Sequence, residues 1–220
     1  MSGKLIVIEG LDGSGKATQT ALLMKRLEEN GLAPAKLSFP DYDNPSSSLV
    51  KMYLGGEFSD APGGVNAYAA SSFYAVDRCA SYLKYWKKDY DAGRLFVADR
   101  YTTSNIIYQM SKLPTEEWDK FIAWVEDYEY VKLGVPKPDR VIYLDMSIEV
   151  SQQLLSLRYN GDESKKDIHE SNLKFLRECR RSALYAAERL DWCVVQCCDG
   201  NTPKAPEEIA GRINREMLKI

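Results

Sequence analysis

The sequence has few of the residues from which metal and redox sites are built. It contains a single histidine, His169, and its five cysteines include no pair in the C-x-x-C spacing of zinc sites. Cys193, Cys197 and Cys198 fall in one apolar run, residues 192–198, where reduced cysteines serve as small hydrophobic side chains. A zinc site is therefore disfavoured, folding does not require disulfides, and a reduced, cytosolic compartment is expected.

The chain also lacks an excess of basic residues and any long hydrophobic segment. Its net charge is −3, its pI is about 5.4 and it has no basic tail, so we expect no nucleic-acid partner. The segment before the apolar run 5–8 is too short for a secretory signal, and no apolar stretch approaches the ~20 residues that cross a membrane. The sequence therefore predicts a cytoplasmic protein without membrane association.

Short apolar runs alternate with helical patterns along the whole chain. The runs predict five strands, at residues 4–9, 35–39, 94–99, 139–145 and 192–198. Helical spacing, glycine stops and a first-turn proline predict helices at residues 16–29, 65–92, from 103, 114–131, 147–157, 167–190 and 206–219. This order implies an α/β fold, a five-stranded parallel sheet flanked by helices on both faces. With no linker or internal repeat, residues 1–220 are predicted to form one domain.

The first predicted strand runs directly into a glycine-rich segment that is followed at once by a helix. Glycines allow a tight turn in which backbone N–H groups face phosphate oxygens, and the helix N-terminus adds partial positive charge. Lys16 then reaches the outer phosphates. The pattern predicts an ATP-binding phosphate loop formed by Gly10, Leu11, Asp12, Gly13, Ser14, Gly15, Lys16, Ala17 and Thr18.

One position departs from the usual loop. The residue after the lysine, where a Ser or Thr hydroxyl normally ligates Mg²⁺, is Ala17, and the hydroxyl comes one position later at Thr18. Mg²⁺ is then held by the nucleotide and water, with help from carboxylates such as Asp12, Asp99 or Glu170. Alternatively, Thr18 contacts a phosphate and the loop gives the metal no direct ligand.

A phosphate loop alone is shared by GTPases, ATPases, motors and small-molecule kinases, so further segments must distinguish them. Phe39-Pro40 follows the second strand, and FYAVDR at residues 73–78 lies inside a long helix. DRYTTSNIIYQ at residues 99–109 follows the third strand, and WVEDYE at 124–129 and KLGVPKPD at 132–139 precede the fourth. In this order, and over residues 5–185, the chain resembles the thymidylate kinase family.

The resemblance implies a P-loop nucleoside monophosphate kinase fold and phosphorylation of dTMP to dTDP by ATP with Mg²⁺. Arg78 matches the arginine that hydrogen-bonds the thymine carbonyl, Tyr74 matches the ring that stacks on the base, and Tyr108 matches the aromatic that crowds the sugar 2′ position. Asp12 matches the carboxylate that accepts from the 3′-OH, and Asn105 matches the base-reading position. The predicted dTMP-binding residues are Asp12, Phe39, Tyr42, Tyr74, Arg78, Arg100, Ser104, Asn105 and Tyr108.

Two departures from the family pattern concern positive charge. Many members carry an arginine just after the Phe-Pro pair, whereas this chain has Asp41-Tyr42-Asp43, so the acceptor phosphate relies on Arg100, with Tyr42 as a second candidate. The loop has Gly13 after Asp12 and no arginine, so the resemblance implies that a flexible lid, about residues 158–170, supplies a cation. Arg158, Lys165 and Lys166 are its candidates. The predicted catalytic residues are Lys16, Asp99, Arg100, Arg158 and Lys166, and the predicted metal ligands, through water, are Asp99 and Glu170.

The family usually forms homodimers through helices packed across a two-fold axis, and the predicted helices 65–92 and 114–131 are the candidates for that surface. Another nucleoside monophosphate or deoxynucleotide kinase on the same scaffold is the nearest alternative, although Arg78, Asn105 and Tyr108 favour a deoxypyrimidine. A GTP-binding switch is more remote, because the sequence has no Asn/Thr-Lys-x-Asp motif for guanine.

Overall fold

The computed structural model describes residues 2–59, 63–162 and 172–217, and its centre is a five-stranded parallel sheet. The strands are β1 (Lys4–Gly10), β2 (Ala35–Ser38), β3 (Leu95–Asp99), β4 (Arg140–Asp145) and β5 (Cys193–Gln196). They pair in the order β2-β3-β1-β4-β5, so β1 is central, with β3 and β4 on its two sides. The predicted fold class is confirmed.

Helices connect the strands and cover both faces of the sheet. They are α1 (Lys16–Glu29), α2 (Ser48–Leu54), α3 (Ala67–Ser81), α4 (Lys87–Asp91), α5 (Thr103–Tyr108), α6 (Trp118–Val125), α7 (Ile148–Arg158), α8 (Leu173–Arg189) and α9 (Pro206–Met217). A π-helix, Tyr82–Trp86, joins α3 to α4, and a second one, Glu126–Lys132, extends α6. The side chains of Asn66, Ser147 and Asn172 accept backbone N–H groups and cap α3, α7 and α8.

Alternation along β1 divides the core into two layers. Leu5 and Val7 face the layer that contains the buried side chains of α5, α6 and α8. Ile6 and Ile8 face the opposite layer, with Leu23 of α1 and further buried residues of α9. Because successive side chains of a strand point to opposite faces, a strand buried on both faces is apolar throughout, as the run in the sequence predicted.

The carboxyl ends of the strands meet at one edge of the sheet. Ile8 of β1 is level with Asp99 of β3, and Ser38 of β2 pairs with Asp99 from the other side. Since the strands are parallel, the segments that follow them converge at this edge. The phosphate loop after β1, Phe39 after β2 and Arg100 after β3 are therefore neighbours.

Several predicted boundaries were wrong. The last strand of the sheet ends at Gln196 rather than at 198, and Cys198–Asp199 forms a separate antiparallel hairpin, β6–β7, with Thr202–Pro203. The predicted helix 65–92 begins at Ala67 and is interrupted by the π-helix. Helix α2 was not predicted, because seven residues are too few for a stable isolated helix and its stability comes from tertiary burial of its apolar side chains.

The predicted lid is only partly described. Arg158 is the last residue of α7, and a turn follows it, whereas residues 163–171 lie outside the described residues. The predicted start of the following helix at 167 lies there too, and α8 is described from Leu173. Within the described ranges, no helix combines the length and the apolar character needed to span a bilayer.

Candidate active site

A cavity of about 740 Å³ opens at the carboxyl ends of β1, β2 and β3. Most residues predicted from the sequence line it: Asp12, Gly13, Gly15, Lys16, Ala17, Thr18, Phe39, Tyr42, Tyr74, Arg78, Asp99, Arg100, Ser104, Asn105, Tyr108 and Arg158. Residues from distant parts of the sequence thus share one cavity, as a two-substrate site requires.

The remaining predicted residues are not part of this lining. Gly10, Leu11 and Ser14 belong to the phosphate loop, but they are buried and do not line the cavity. Lys166 and Glu170, together with the alternative lid cation Lys165, lie outside the described residues. The lid and metal predictions that concern those three side chains therefore stay predictions.

The phosphate loop owes its shape to glycine. Gly13 and Gly15 have φ values of 79° and 87°, in the left-handed region, and Gly15 directly precedes α1. A Cβ on Gly13 would lie 2.4 Å from the carbonyl oxygen of Ser151 in α7, so a side chain does not fit there. No side chain of the described residues caps α1. The first N–H groups of this helix, beside Lys16, are consequently suited to hold an anion.

Asp12 joins three other side chains next to this loop. The guanidinium of Arg100 donates to Asp12 Oδ1 through Nη2 and to Tyr108 Oη through Nη1, the latter at 3.2 Å. Tyr108 Oη donates in turn to Asp12 Oδ2 at 3.2 Å. Lys16 Nζ lies 3.7 Å from Asp12 Oδ1 and donates to the carbonyl of Leu11 at 2.9 Å. One carboxylate thus links the phosphate loop to the arginine that follows β3.

Burial and mutual charge shift the pKa values in this cluster. Burial alone would raise the pKa of Asp12, but Arg100 and Lys16 outweigh it and hold that pKa well below its ordinary value. Burial and the nearby charge of Arg100 lower the pKa of Lys16. Burial alone would lower the pKa of Arg100, but Asp12 and Tyr108 raise that pKa well above its ordinary value. At neutral pH an ionised carboxylate therefore lies between two cations.

Arg100, the first residue after β3, has an uncommon backbone conformation. Its φ is 70°, in the left-handed region that non-glycine residues rarely adopt, and its backbone N–H donates to Ile8 O at 3.1 Å. The side chain is directed to Asp12 in the phosphate loop rather than to its sequence neighbour Asp99. Within the described residues Arg100 therefore forms its salt bridge with Asp12 and not with Asp99.

Glu9, the last but one residue of β1, organises the start of α5. It is fully buried and accepts from Tyr101 N at 3.1 Å, Thr103 Oγ1 at 2.7 Å and Ser104 Oγ at 2.9 Å. Ser104 lines the cavity as predicted, but its hydroxyl is already donated to Glu9. Its position in the cavity wall is therefore set by the protein, and a direct contact with dTMP remains untested.

A second buried polar cluster forms where α3, α5 and the π-helix after α6 meet. Arg78 Nε and Nη2 donate to Glu129 Oε2 and Oε1, both at 2.7 Å. Asn105 Nδ2 donates to Glu129 Oε1 at 2.8 Å and to the backbone carbonyl of Ser71 at 3.1 Å. Burial would lower the pKa of Arg78, but the charge of Glu129 raises it. We call Arg78, Asn105 and Glu129 the base-site cluster.

Aromatic side chains form further walls of the cavity. Phe39 is almost completely buried and lies 5.8 Å, ring to ring, from Tyr101. Tyr74, on the same helix as Arg78, meets the ring of Tyr53 edge-on at 6.2 Å. Tyr42 is 48% exposed, so it belongs to the rim rather than the interior. Aromatic side chains in a cavity wall offer faces on which a nucleobase can stack.

Among the predicted metal and lid residues, Asp99 and Arg158 belong to the described part of the chain. Within the described ranges, no group of three or more His, Cys, Asp or Glu side chains is arranged to hold a metal ion by itself. Asp99 and Thr18 line the cavity, whereas Asp12 is engaged with Arg100. The guanidinium of Arg158 lies 5.8 Å from the ring of Tyr159, and both residues line the cavity.

Sequence reasoning assigned no role to three residues that the structure brings into the site. Glu129 and Glu9 are completely buried carboxylates, and Gln109 lines the cavity with its Oε1 buried and unpartnered among the described residues. All three lay inside or beside the quoted motifs. For the two glutamates the available signal was a charged residue inside or beside a motif, because such a residue is seldom buried without a partner. Gln109 carries no charge and gave no such signal.

Comparisons with known proteins agree with this geometry. The family model for thymidylate kinase matches residues 8–202. The thymidylate kinase of Mycobacterium tuberculosis is 31% identical over 186 residues, which cover 83% of this chain and 84% of that protein. A probable thymidylate kinase of Pyrococcus abyssi is 25% identical over the full length of both.

A solved structure extends the comparison to the fold. The structure of thymidylate kinase from Candida albicans superposes with a TM-score of 0.71 at 21% identity, covering 99% of this chain and 92% of that one. Together with the family model and the relatives, the fold and the cavity lead to one conclusion: the chain belongs to the thymidylate kinase family.

Proposed function

We propose that this protein transfers the terminal phosphate of ATP to dTMP, yielding ADP and dTDP for dTTP synthesis. The observation that carries the proposal is one cavity lined by the phosphate loop, by Arg100, which is paired with Asp12 of that loop, and by Arg78 and Asn105 of the buried base-site cluster. Membership of the family makes the protein a phosphotransferase, and its relatives bear the name thymidylate kinase. The residue roles below are proposals that the geometry supports.

The donor half holds the ATP phosphates. The N–H groups at the start of α1 and the ammonium of Lys16 face the triphosphate, so the contacts of Lys16 with Leu11 and Asp12 give way to phosphate oxygens. Transfer of a phosphoryl group depends mainly on positioning and on cations that neutralise developing charge. Arg100 provides such a cation between donor and acceptor, and we therefore propose that it contacts the transferring phosphate.

The acceptor half holds dTMP. Arg78 and Asn105 bind the edge of thymine, Tyr74 and Phe39 provide its walls, and Tyr108 lies against the sugar. Asp12, ionised beside Arg100, accepts from the 3′-OH. Tyr42 at the rim is the further candidate for the acceptor phosphate, whose usual arginine after the Phe-Pro pair this chain lacks.

The predicted cofactor is Mg²⁺, which would be bound together with ATP. The residues fit an ion held chiefly by nucleotide phosphates and water, because Asp99 contributes one carboxylate beside Lys16 while Ala17 contributes none. When bound, the ion would neutralise negative charge on the nucleotide phosphates. Glu170, outside the described residues, remains the second predicted ligand.

The lid and the oligomer complete the proposal. Arg158 lines the cavity and is a candidate for the lid cation, together with Lys165 and Lys166 later in the predicted lid. Val76 and Leu83, seven residues apart along one helical face, are 46% and 61% exposed, and Val131 is 69% exposed. These exposed apolar side chains on the two helical segments support a homodimer formed through them, which a solution mass of twice 24.9 kDa tests. A cytoplasmic location stays a prediction.

A panel of nucleoside monophosphates tests the proposed function. Purified protein with ATP and Mg²⁺ is assayed by coupled ADP release against dTMP, dUMP, dCMP, UMP and AMP, with ATP alone as the blank. We expect the highest kcat/KM with dTMP. Faster turnover of AMP or UMP points to another monophosphate kinase, and tight GTP binding without turnover points to a switch protein; either result contradicts the proposal.

A further inference from the structure

The contacts of Glu129 determine which atoms of its two partners remain for a ligand. Its Oε1 accepts from both Arg78 Nη2 and Asn105 Nδ2, so the guanidinium and the amide lie side by side around one oxygen atom. Both partners line the cavity, while Glu129 does not, and all three side chains are at least 98% buried. Glu129 is therefore located behind the two groups rather than beside the ligand.

The orientation of the Asn105 amide follows from hydrogen-bond chemistry. An amide group can be turned by 180° unless its neighbours discriminate NH₂ from oxygen. Here both neighbours, the Glu129 carboxylate and the Ser71 carbonyl, are acceptors only, so both hydrogens of Nδ2 are used. Oδ1 accepts no hydrogen bond from the described residues and is left as the atom for a ligand. Towards the cavity Asn105 is an acceptor.

The contacts of Arg78 with Glu129 leave a donor group of the guanidinium for a ligand. Its Nε and Nη2 are held by the two oxygens of Glu129, so this planar fork fixes the direction of the whole guanidinium. Nη1 makes no hydrogen bond to the described residues and carries two hydrogens. Towards the cavity Arg78 is a donor. A donor and an acceptor are thus presented side by side.

This pair matches one class of pyrimidine. Thymine and uracil present an acceptor, the C4 carbonyl, next to a donor, N3–H, whereas cytosine presents a donor, the C4 amino group, next to an acceptor, N3. We propose that Glu129 is a positioning residue that holds Arg78 as donor and Asn105 as acceptor and thereby makes the site select 4-keto pyrimidines. This inference rests on the proposed function and adds the origin of its base selectivity.

The test uses a substrate pair that differs only in this pattern. 5-Methyl-dCMP has the size and the methyl group of dTMP, but its C4 group is a hydrogen-bond donor and its N3 is an acceptor. For the wild-type protein we expect kcat/KM for dTMP to exceed that for 5-methyl-dCMP by about 10³-fold or more, because the analogue leaves buried polar groups unpaired. A wild-type protein that phosphorylates no pyrimidine nucleotide refutes the proposed function itself.

The variant Glu129→Gln tests the positioning role of Glu129 separately from the proposed function. A glutamine keeps only one acceptor oxygen, and its NH₂ group cannot accept from Arg78 Nε, so the two-point hold on the guanidinium is lost. The dTMP to 5-methyl-dCMP ratio is expected to fall about 10- to 100-fold. The KM for ATP should not change. Glu126→Gln, on the exposed side of the same π-helix, is the matched control, with an unchanged ratio.

A second variant protects the test against misfolding. Should thermal melting show that Glu129→Gln does not fold, the ratio is measured in Glu129→Asp, which keeps the charge but is too short to contact Arg78 and Asn105 at once. A reduced ratio in the folded variant supports the inference. An unchanged ratio in a folded variant, even with lower overall activity, shows a merely structural role for Glu129 and overturns it.

Discussion

The phosphate loop and the base-site cluster differ in how far apart along the chain their residues lie. The loop is contiguous, from Gly10 to Lys16, and it is built from glycine backbone and the start of one helix. The base-site cluster joins Arg78 to Glu129 over 51 residues and Asn105 to Glu129 over 24 residues. The first site depends on local conformation, and the second depends on packing.

This difference determines what each site tolerates. A backbone site is little affected by side-chain identity, which is why Ala17 can replace a hydroxyl without removing the anion-binding N–H groups. The base-site cluster consists of side chains whose donors and acceptors are matched one to one, so a single replacement leaves a buried group without its partner. Arg100, paired with Asp12 of the loop, lines the same cavity as both sites. The following predictions test the contrast, beginning with the largest effect.

Arg100→Ala removes the cation that is paired with Asp12 in the cavity, and it should cause the greatest loss of activity. We expect kcat to fall by about 10³-fold or more, since a cation on the transferring phosphate contributes that much in comparable enzymes. Steady-state kinetics measure the change, and a thermal melt checks the fold. Arg94→Ala, an exposed arginine paired with Asp89, is the control and should keep full activity. An unchanged kcat in Arg100→Ala would remove this residue from the chemistry.

Arg78→Met should destabilise the protein as well as weaken dTMP binding. It leaves the buried carboxylate of Glu129 without its cation, which costs about 3–5 kcal/mol in the free energy of unfolding. The double variant Arg78→Met, Glu129→Met removes both charges and should recover most of that loss. Urea denaturation measures stability, and kinetics measure KM.

The double variant also separates structure from recognition. Its stability should return while its KM for dTMP stays raised and its KM for ATP stays normal, because only the base site has lost its polar groups. Recovery of dTMP affinity in the double variant is the result that contradicts a recognition role for Arg78.

Gly13→Ala tests the local site through its backbone. Gly13 and Gly31 have nearly equal φ values, 79° and 80°. Among the residues that the structure describes, an added Cβ would meet the Ser151 carbonyl at Gly13 and no atom within 4 Å at Gly31. Both substitutions incur the left-handed penalty of about 1–2 kcal/mol, and overpacking adds about 1–3 kcal/mol at Gly13. Denaturation of both variants measures the difference. Equal stabilities, with ATP binding retained in Gly13→Ala, contradict the close packing of the loop.

Asp12→Asn should have the smallest effect, and it should depend on pH. Arg100 and Lys16 depress the pKa of Asp12 in the folded state, so its contribution is complete above the unfolded pKa of about 4 and is lost as the pH falls towards the folded pKa. At pH 7 we expect a loss of about 1–3 kcal/mol in the free energy of unfolding. The difference from wild type, measured by denaturation at several pH values, should shrink below pH 4. A stability difference between the variant and wild type that grows as the pH falls contradicts this prediction.

Much of the fold was predictable from the sequence, and much of the site was too. The strand, loop and helix around Lys16 were predicted because apolar runs and glycine positions act locally. Arg78, Asn105 and Tyr108 were placed in the cavity by motif resemblance, and the structure brings them to its wall. Boundaries at the π-helices and β5 were missed, since tertiary contacts decide where a helix or strand ends.

What the sequence by itself determined is the order of strands and helices, the phosphate loop, and the set of side chains available to a nucleotide. What only the tertiary structure decided is how those side chains face one another: Arg100 with Asp12, and Arg78 and Asn105 with Glu129. The reason is physical. Backbone conformation follows from neighbouring residues, whereas the partner of a buried donor is set by the packing of segments that are distant in sequence.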